Sequence, residues 1–283
     1  MSRQLSTAIQ IKLNELLANT GDMALKRRAR RIIEEVNPTD GDKILEVGCG
    51  DGFYLHLLSN LDIKLSLVGV DIDKLALGSA KRNLKGKSVK LHWADLVEKL
   101  PFKNNSFDKV IISEVVEHLN DDVKGLKEVR RVLKKGGRLV LSVPNHNYPL
   151  FWDPVNWTLE HFFGTHIKSG FWAGLWNQHL RLYKPQEIRK VVEKAGMTVL
   201  ALESLTFWCL PFNHNLLNFA AVKLHSGKMS PDLKKSINKF ETGGAKKFSS
   251  VKLGFRIVAL VDSLNNRWMP SDRGVGVFVV AKK

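Results

Sequence analysis

The stretch KILEVGCGDGFYLHLLSN, residues 43–60, decides the fold. An apolar run of strand character ends at Val47. Glycines follow at 48, 50 and 52, and helical periodicity begins at Phe53. Glycines at a strand-to-helix turn let the backbone come close to a ligand. A dinucleotide-binding turn needs GxGxxG, but here the third glycine comes early and Phe holds position 53. A GxxxxGK[ST] phosphate loop is absent as well. The turn therefore reads as a ligand cradle of a different kind.

The pattern repeats on both sides. Runs 65–71, 89–93, 107–113, 137–143 and 197–204 read as strands, and the chain closes on the strand-like VGVFVVAKK. Residues 53–60, 74–84, 121–135 and 185–196 read as helices, with Gly136 where a helix C-cap belongs. Two further helices, 2–19 and 22–36, precede Pro38. Alternation of this kind predicts an α/β fold: a Rossmann-like, seven-stranded, mostly parallel sheet with helices on both faces, plus N-terminal helices and two insertions. The expected organisation is helices over 1–40, a core over 41–204 that carries an aromatic insert at 145–184, a basic elaboration over 205–273, and a strand at 274–283 that completes the sheet.

Composition narrows the function. With 283 residues the chain can build a sizeable core. Two cysteines, Cys49 and Cys209, exclude a disulfide framework and a thiolate metal cluster. No apolar run is long enough to span a bilayer, and the N-terminus lacks the apolar region of a signal peptide. These features predict a cytoplasmic protein, with peripheral contact to the inner face of a membrane as the variant. The net charge is +16, from 44 Lys and Arg against 28 Asp and Glu. Such an excess attracts anionic lipid, RNA or an acidic substrate, or simply keeps the surface soluble.

The ordered series of motifs resembles the class I S-adenosylmethionine-dependent methyltransferases. ILEVGCGDG (44–52) resembles their glycine motif, VGVDID (68–73) the end of their second strand, and ADLVEKLPFKNNSFDKVI (94–111) the passage into their fourth. The resemblance implies S-adenosyl-L-methionine as cofactor. Glu46, Gly48 and Gly50 would face its amino-acid end and Asp71 both ribose hydroxyls. Ile72 would lie against the adenine and Asp95 near its amino group, with Leu96 alongside. An acid about 20 residues beyond the glycines suits a ribose diol on physical grounds too. Cys49 reads as a small buried residue of the loop.

The fourth strand runs into EVVEH, 114–118. Its Glu114, Glu117 and His118 stand at i, i+3 and i+4, which on a helix would put them on one face. Three readings stay open. The group can hold the loop by hydrogen bonds, His118 can act as general base toward a hydroxyl, or the group can bind a divalent metal. ExxEH resembles the metal motif of ubiquinone-pathway O-methyltransferases and of plant small-RNA 2′-O-methyltransferases, and that resemblance makes His179 the later histidine of the set. His146, His161 and His166 are rivals. Glu117, His118 and His179 are the catalytic candidates, and a divalent metal stays one of the three readings.

The acceptor is expected to meet the elaborations. The aromatic insert reads as a lid, as a membrane-facing loop, or as a small satellite core. Residues 250–268 form an amphipathic candidate, with Lys252 and Arg256 on one stripe and Leu253, Ile257, Leu260 and Leu264 on another. The leading expectation is O-methylation of a small or lipid-linked hydroxylated acceptor. RNA 2′-O-methylation and a non-catalytic methyltransferase-fold binder are the alternatives.

Overall fold

The computed structural model describes residues 5–177, 179–212, 215, 238–241, 249–267 and 272–283. Most of the expected polar linker at 226–250, much of the segment 205–224 and the Lys252 side chain lie outside the described residues.

Seven strands form one sheet. They are β1 (Lys43–Val47), β2 (Ser66–Asp71), β3 (Val89–Trp93), β4 (Phe107–Ser113), β5 (Leu133–Pro144), β6 (Thr198–Leu205) and β7 (Gly276–Lys282). Their order across the sheet is β3-β2-β1-β4-β5-β7-β6. The first five strands run parallel, and β7 lies antiparallel between β5 and β6. The strand order reverses between β1 and β4, so their carboxyl ends frame the crevice where such sheets bind ligands.

The strands are apolar runs because both faces are covered. Leu45 and Val47, Val110 and Ile112, Leu139 and Leu141, and Val277 and Val279 fill one core. Helices α5 (Asp122–Val132) and α7 (Pro185–Lys194) cover that face. The alternate residues Ile44, Ile111, Val140, Phe278 and Val280 fill the other core. That face is covered by α1 (Thr7–Leu16), α2 (Met23–Val36), α3 (Phe53–Ser59) and α4 (Lys74–Asn83). A third cluster joins Tyr148, Trp152, Leu175 and Leu182 of the insert to Met23 and Cys209. Val258 and Val261 of α8 (Ser249–Leu264) pack against it. Part of the aromatic insert is thus a satellite core, with Trp157 of α6 (Pro154–Phe163) packed against it.

Helix starts follow their capping side chains. Asp22 accepts from the Ala24 and Leu25 amides, Asp73 from Leu75, Asp121 from Lys124 and Asp153 from Asn156. One boundary differs from expectation. Helix α5 stops at Val132 and β5 starts at once, so Gly136 lies in a strand irregularity and is not a helix cap. The carbonyls at the helix end find other donors. The Asn105 amide donates to Arg131 O at 3.0 Å, the Ser106 amide to Val132 O at 2.7 Å, and Lys283 Nζ to Leu133 O at 2.7 Å.

Helix α2 is pinned to the sheet by charge. Arg31 donates to Glu203 at 2.9 Å and pairs with Glu35 at 2.9 Å, while Arg138 bonds the other oxygen of Glu35. Phe278 lies fully buried beneath the Arg31 guanidinium. Phe278→Ala is expected to cost about 3–5 kcal/mol, read as a lower urea midpoint with an unchanged slope.

Candidate functional site

The glycine turn hugs the end of β4. Gly48 has φ +69°, and a β-carbon there would stand 2.2 Å from Val115 Cγ2. Gly52 is also left-handed, with Leu84 in the way of any side chain. Gly50 is left-handed for a different reason, since no atom lies within 4 Å of where its β-carbon would be. That open cradle faces Asp71, whose carboxylate accepts the Gly50 amide at 2.7 Å and the Asp73 amide at 2.8 Å. Ile72 is 58% exposed beside it, and Trp93 donates its indole N–H to Ile72 O at 2.8 Å. Asp95 opens the turn after β3 by accepting the Val97 amide at 2.9 Å, and Leu96 is buried against the core.

Glu46 is buried and accepts the Leu55 amide at 3.2 Å. Burial, with the charges of Asp51 and Asp71, holds its carboxyl well above the usual range. Burial likewise pushes the Cys49 thiol up, which fits a packing residue and not a nucleophile. The cradle, the strand-end carboxylate and the exposed apolar shelf suit the amino-acid, ribose and adenine parts of S-adenosylmethionine in that order.

The segment 114–118 does not form the helical face expected of it. Glu114 takes a left-handed φ of +56°, and only Val116–His118 makes a 3₁₀ turn. Glu114 is thereby turned away from Glu117 and His118. It enters a closed ring of polar contacts: Arg28 pairs with Glu114 at 3.2 Å and donates to Tyr54 OH at 3.2 Å. Tyr54 OH meets Ser113 Oγ at 3.0 Å, Ser113 meets Ser142 Oγ at 2.9 Å, and Ser142 donates to Glu114 at 3.1 Å. Burial alone would lower the Arg28 pKa, but Glu114 and Tyr54 outweigh it and the pKa rises. This ring ties α2 and α3 to the ends of β4 and β5. Composition and spacing gave no sign of it, because its members come from four separate elements.

The fold instead gathers Glu117, His118 and His179. Their ligating atoms all lie within 4.8 Å of one another. His118 Nε2 and His179 Nε2 stand 3.9 and 3.7 Å from the same Glu117 oxygen, and the two rings lie 4.8 Å apart. His179 Nδ1 bonds the Leu175 carbonyl, which turns its Nε2 edge toward Glu117. Glu117 is 0% exposed, and neither carboxylate oxygen has a hydrogen-bond partner. Burial, then the charge of Glu114, raises its pKa well above the usual carboxylate range. The rival histidines are engaged elsewhere. His161 stacks on Trp157, His166 stacks on Trp176 beside Glu160, and His146 is exposed after β5.

A contact from the C-terminal elaboration also reaches the cradle. Lys239 pairs with Asp51 at 2.7 Å, and Phe240 packs edge-on against Phe53 and His56. The lysine-rich composition around it carried no signal of this placement.

Raised pKa values fix a sign. The folded state holds a proton on Glu117 that the unfolded chain releases, so stability falls as pH rises above the ordinary glutamate range. In chelator-treated protein, Glu117→Gln is expected to melt above wild type at pH 8. The gap should close as pH is lowered toward 5, as read by calorimetric melting.

The family described as "Methyltransferase domain" matches residues 45–141. An uncharacterized methyltransferase YdaC of Bacillus subtilis is 33% identical over 39% of this chain and 61% of its own length. A ubiquinone biosynthesis O-methyltransferase of Idiomarina loihiensis is 27% identical over 60% of this chain and 69% of its own length. The chain spans about half to three fifths of the length of the curated relatives it matches first. Among solved structures, a putative methyltransferase in complex with the Haloferax volcanii Trm112 activator aligns with a TM-score of 0.55 at 16% identity. That alignment covers 100% of this chain and 99% of that one.

Proposed function

We propose that this chain, whose core is a class I S-adenosylmethionine-dependent methyltransferase domain, methylates the oxygen of a small or lipid-linked hydroxylated acceptor. The observation that carries the acceptor side is Glu117, a fully buried carboxylate without a hydrogen-bond partner, facing two imidazoles at the end of β4. A buried acid is costly unless it meets a partner, and an acceptor hydroxyl or a cation would be one.

S-adenosylmethionine, when bound, supplies an electrophilic methyl group on a sulfonium. Asp71 would hold the ribose, Ile72, Asp95 and Leu96 the adenine, and Glu46 with Gly48 and Gly50 the amino-acid end. The glycine turn and the 114–118 segment touch through Gly48 and Val115, which supports a methyl donor and an acceptor bound side by side. His118 and His179 would then take the acceptor's proton, and Glu117, 3.9 and 3.7 Å from their Nε2 atoms, would orient both rings for it. Most of the remaining rate would come from alignment and from excluding water.

Glu117, His118 and His179 also fit a divalent cation. Two imidazoles and one carboxylate form a borderline donor set, and the Leu175 carbonyl orients one ring from behind. A cation held there would lower the pKa of the acceptor hydroxyl.

Calorimetry with S-adenosylhomocysteine tests the cofactor side: Asp71→Ala is expected to weaken binding by about tenfold or more, as for a lost charge-assisted pair of bonds. On the acceptor side, Glu117→Gln should keep cofactor binding and lower kcat toward a catechol or vicinal diol by about 10²-fold. Unchanged turnover in Glu117→Gln would remove the acceptor assignment. Magnesium or manganese that binds wild type and not the variant would support the cation.

A further inference from the structure

The insert shows solvent an apolar surface that the catalytic reading does not use. Phe162 and Phe163 at the end of α6 are 73% and 72% exposed, and Phe171 and Trp172 are 47% and 48% exposed. Phe151 and Phe212, joined by a backbone hydrogen bond of 3.0 Å, are exposed as well. Scattered exposed aromatics are ordinary, but five within one insert, with Phe212 fastened to one of them, are a patch.

The patch is displayed by a built support. Asn156 is fully buried on α6. It accepts the Ile167 amide at 2.8 Å and donates to Trp172 O at 2.8 Å and to Asp153 at 2.8 Å. It therefore clasps both limbs of the excursion 161–172. Gly174, with φ +56°, lets the returning chain lie against Asp153, where a β-carbon would collide with the carboxylate. The rings point outward while the backbone that carries them is fastened inward.

Charge selects the occupant. Residues 145–184 hold two acids, Asp153 and Glu160. Asp153 is buried as the α6 cap, and Glu160 is turned inward to Tyr148 and His166. The outer surface of the excursion carries Lys168 and no acid, on a chain of net charge +16. A second copy would bring the chain's own net charge of +16 against it. An anionic bilayer complements both features, since aromatic rings seat at the interface while cations meet headgroups.

We infer that residues 161–172, with Phe151 and Phe212, dock the protein on the surface of an anionic membrane. The surface leads straight into the acceptor group, because the turn that follows Trp172 carries Leu175, whose carbonyl holds His179. The docking surface stands independently of the methyl-transfer reading. Only its use, the delivery of a lipid-soluble acceptor from the bilayer, rests on it.

The test is co-sedimentation with phosphatidylcholine vesicles, with and without about 30% phosphatidylglycerol. Wild type is expected to bind the anionic vesicles, less so as salt rises. Phe162→Ser with Phe163→Ser, and separately Phe171→Ser with Trp172→Ser, should each weaken binding by about tenfold or more at an unchanged melting temperature. If either pair unfolds, Lys168→Glu on the exposed lysine provides the reading, with a smaller expected loss. No binding by wild type, or equal binding by the variants, overturns the inference. A dimer seen by sedimentation and lost in the variants would also overturn it, by giving the face to a second copy. Turnover of a water-soluble acceptor is measured separately, so failure of the enzymatic reading would not be mistaken for failure of docking.

Discussion

Val115 occupies the space that a side chain at position 48 would need. From that contact the layout of the site follows. With no β-carbon on Gly48, the loop after β4 can settle onto the turn after β1, and the two halves of the crevice become one pocket wall. The cost falls on Glu114, which must take a left-handed backbone that a residue with a side chain seldom adopts. The ring through Arg28, Tyr54, Ser113 and Ser142 holds it there. Because Arg28 belongs to α2, the N-terminal helices are part of the site and not only a cover for the sheet.

Two glutamates three positions apart have opposite surroundings. Glu114 sits against a guanidinium and a serine hydroxyl, where a carboxylate is well solvated by the protein itself. Glu117 is buried beside two imidazoles, with neither oxygen hydrogen-bonded and a like charge nearby. Pairs of titratable groups whose surroundings differ in this way are what acid–base sites are made from. Here the division is made by one backbone angle at Glu114.

The sheet was legible because strands buried on both faces become continuous apolar runs, and each run from 43 to 143 became a strand. The first boundary of β5 was not legible. Lys134, Lys135 and Gly136 look like the end of a helix, and the donors that end α5 earlier come from Asn105, Ser106 and Lys283, remote in sequence. Within the site, Asp71, Glu117, His118 and His179 could be named from motif order, and the fold brings the last three together. Arg28, Tyr54 and Lys239 could not, since each acts through a contact between elements far apart in the chain. The aromatic insert was ambiguous for a physical reason: it is both things, a satellite core around Trp152 and Tyr148 and an outward face at Phe162 and Trp172.

The place of β7 has a consequence for how the molecule forms. This strand pairs Val279 with Leu141 on one side and with Leu202 on the other. Strands β1 to β5 assemble with one long-range pairing, β1 with β4, but β6 has no lodging in the sheet until β7 arrives to bridge it. Both closures span long stretches of chain, and such pairings must meet their loop entropy before any contact rewards it. Two members of the buried group, Glu117 and His118, follow β4 and are in place early. His179 enters through the insert that leads toward β6. The Glu117–His118–His179 group is thus assembled late, after the glycine turn between β1 and α3.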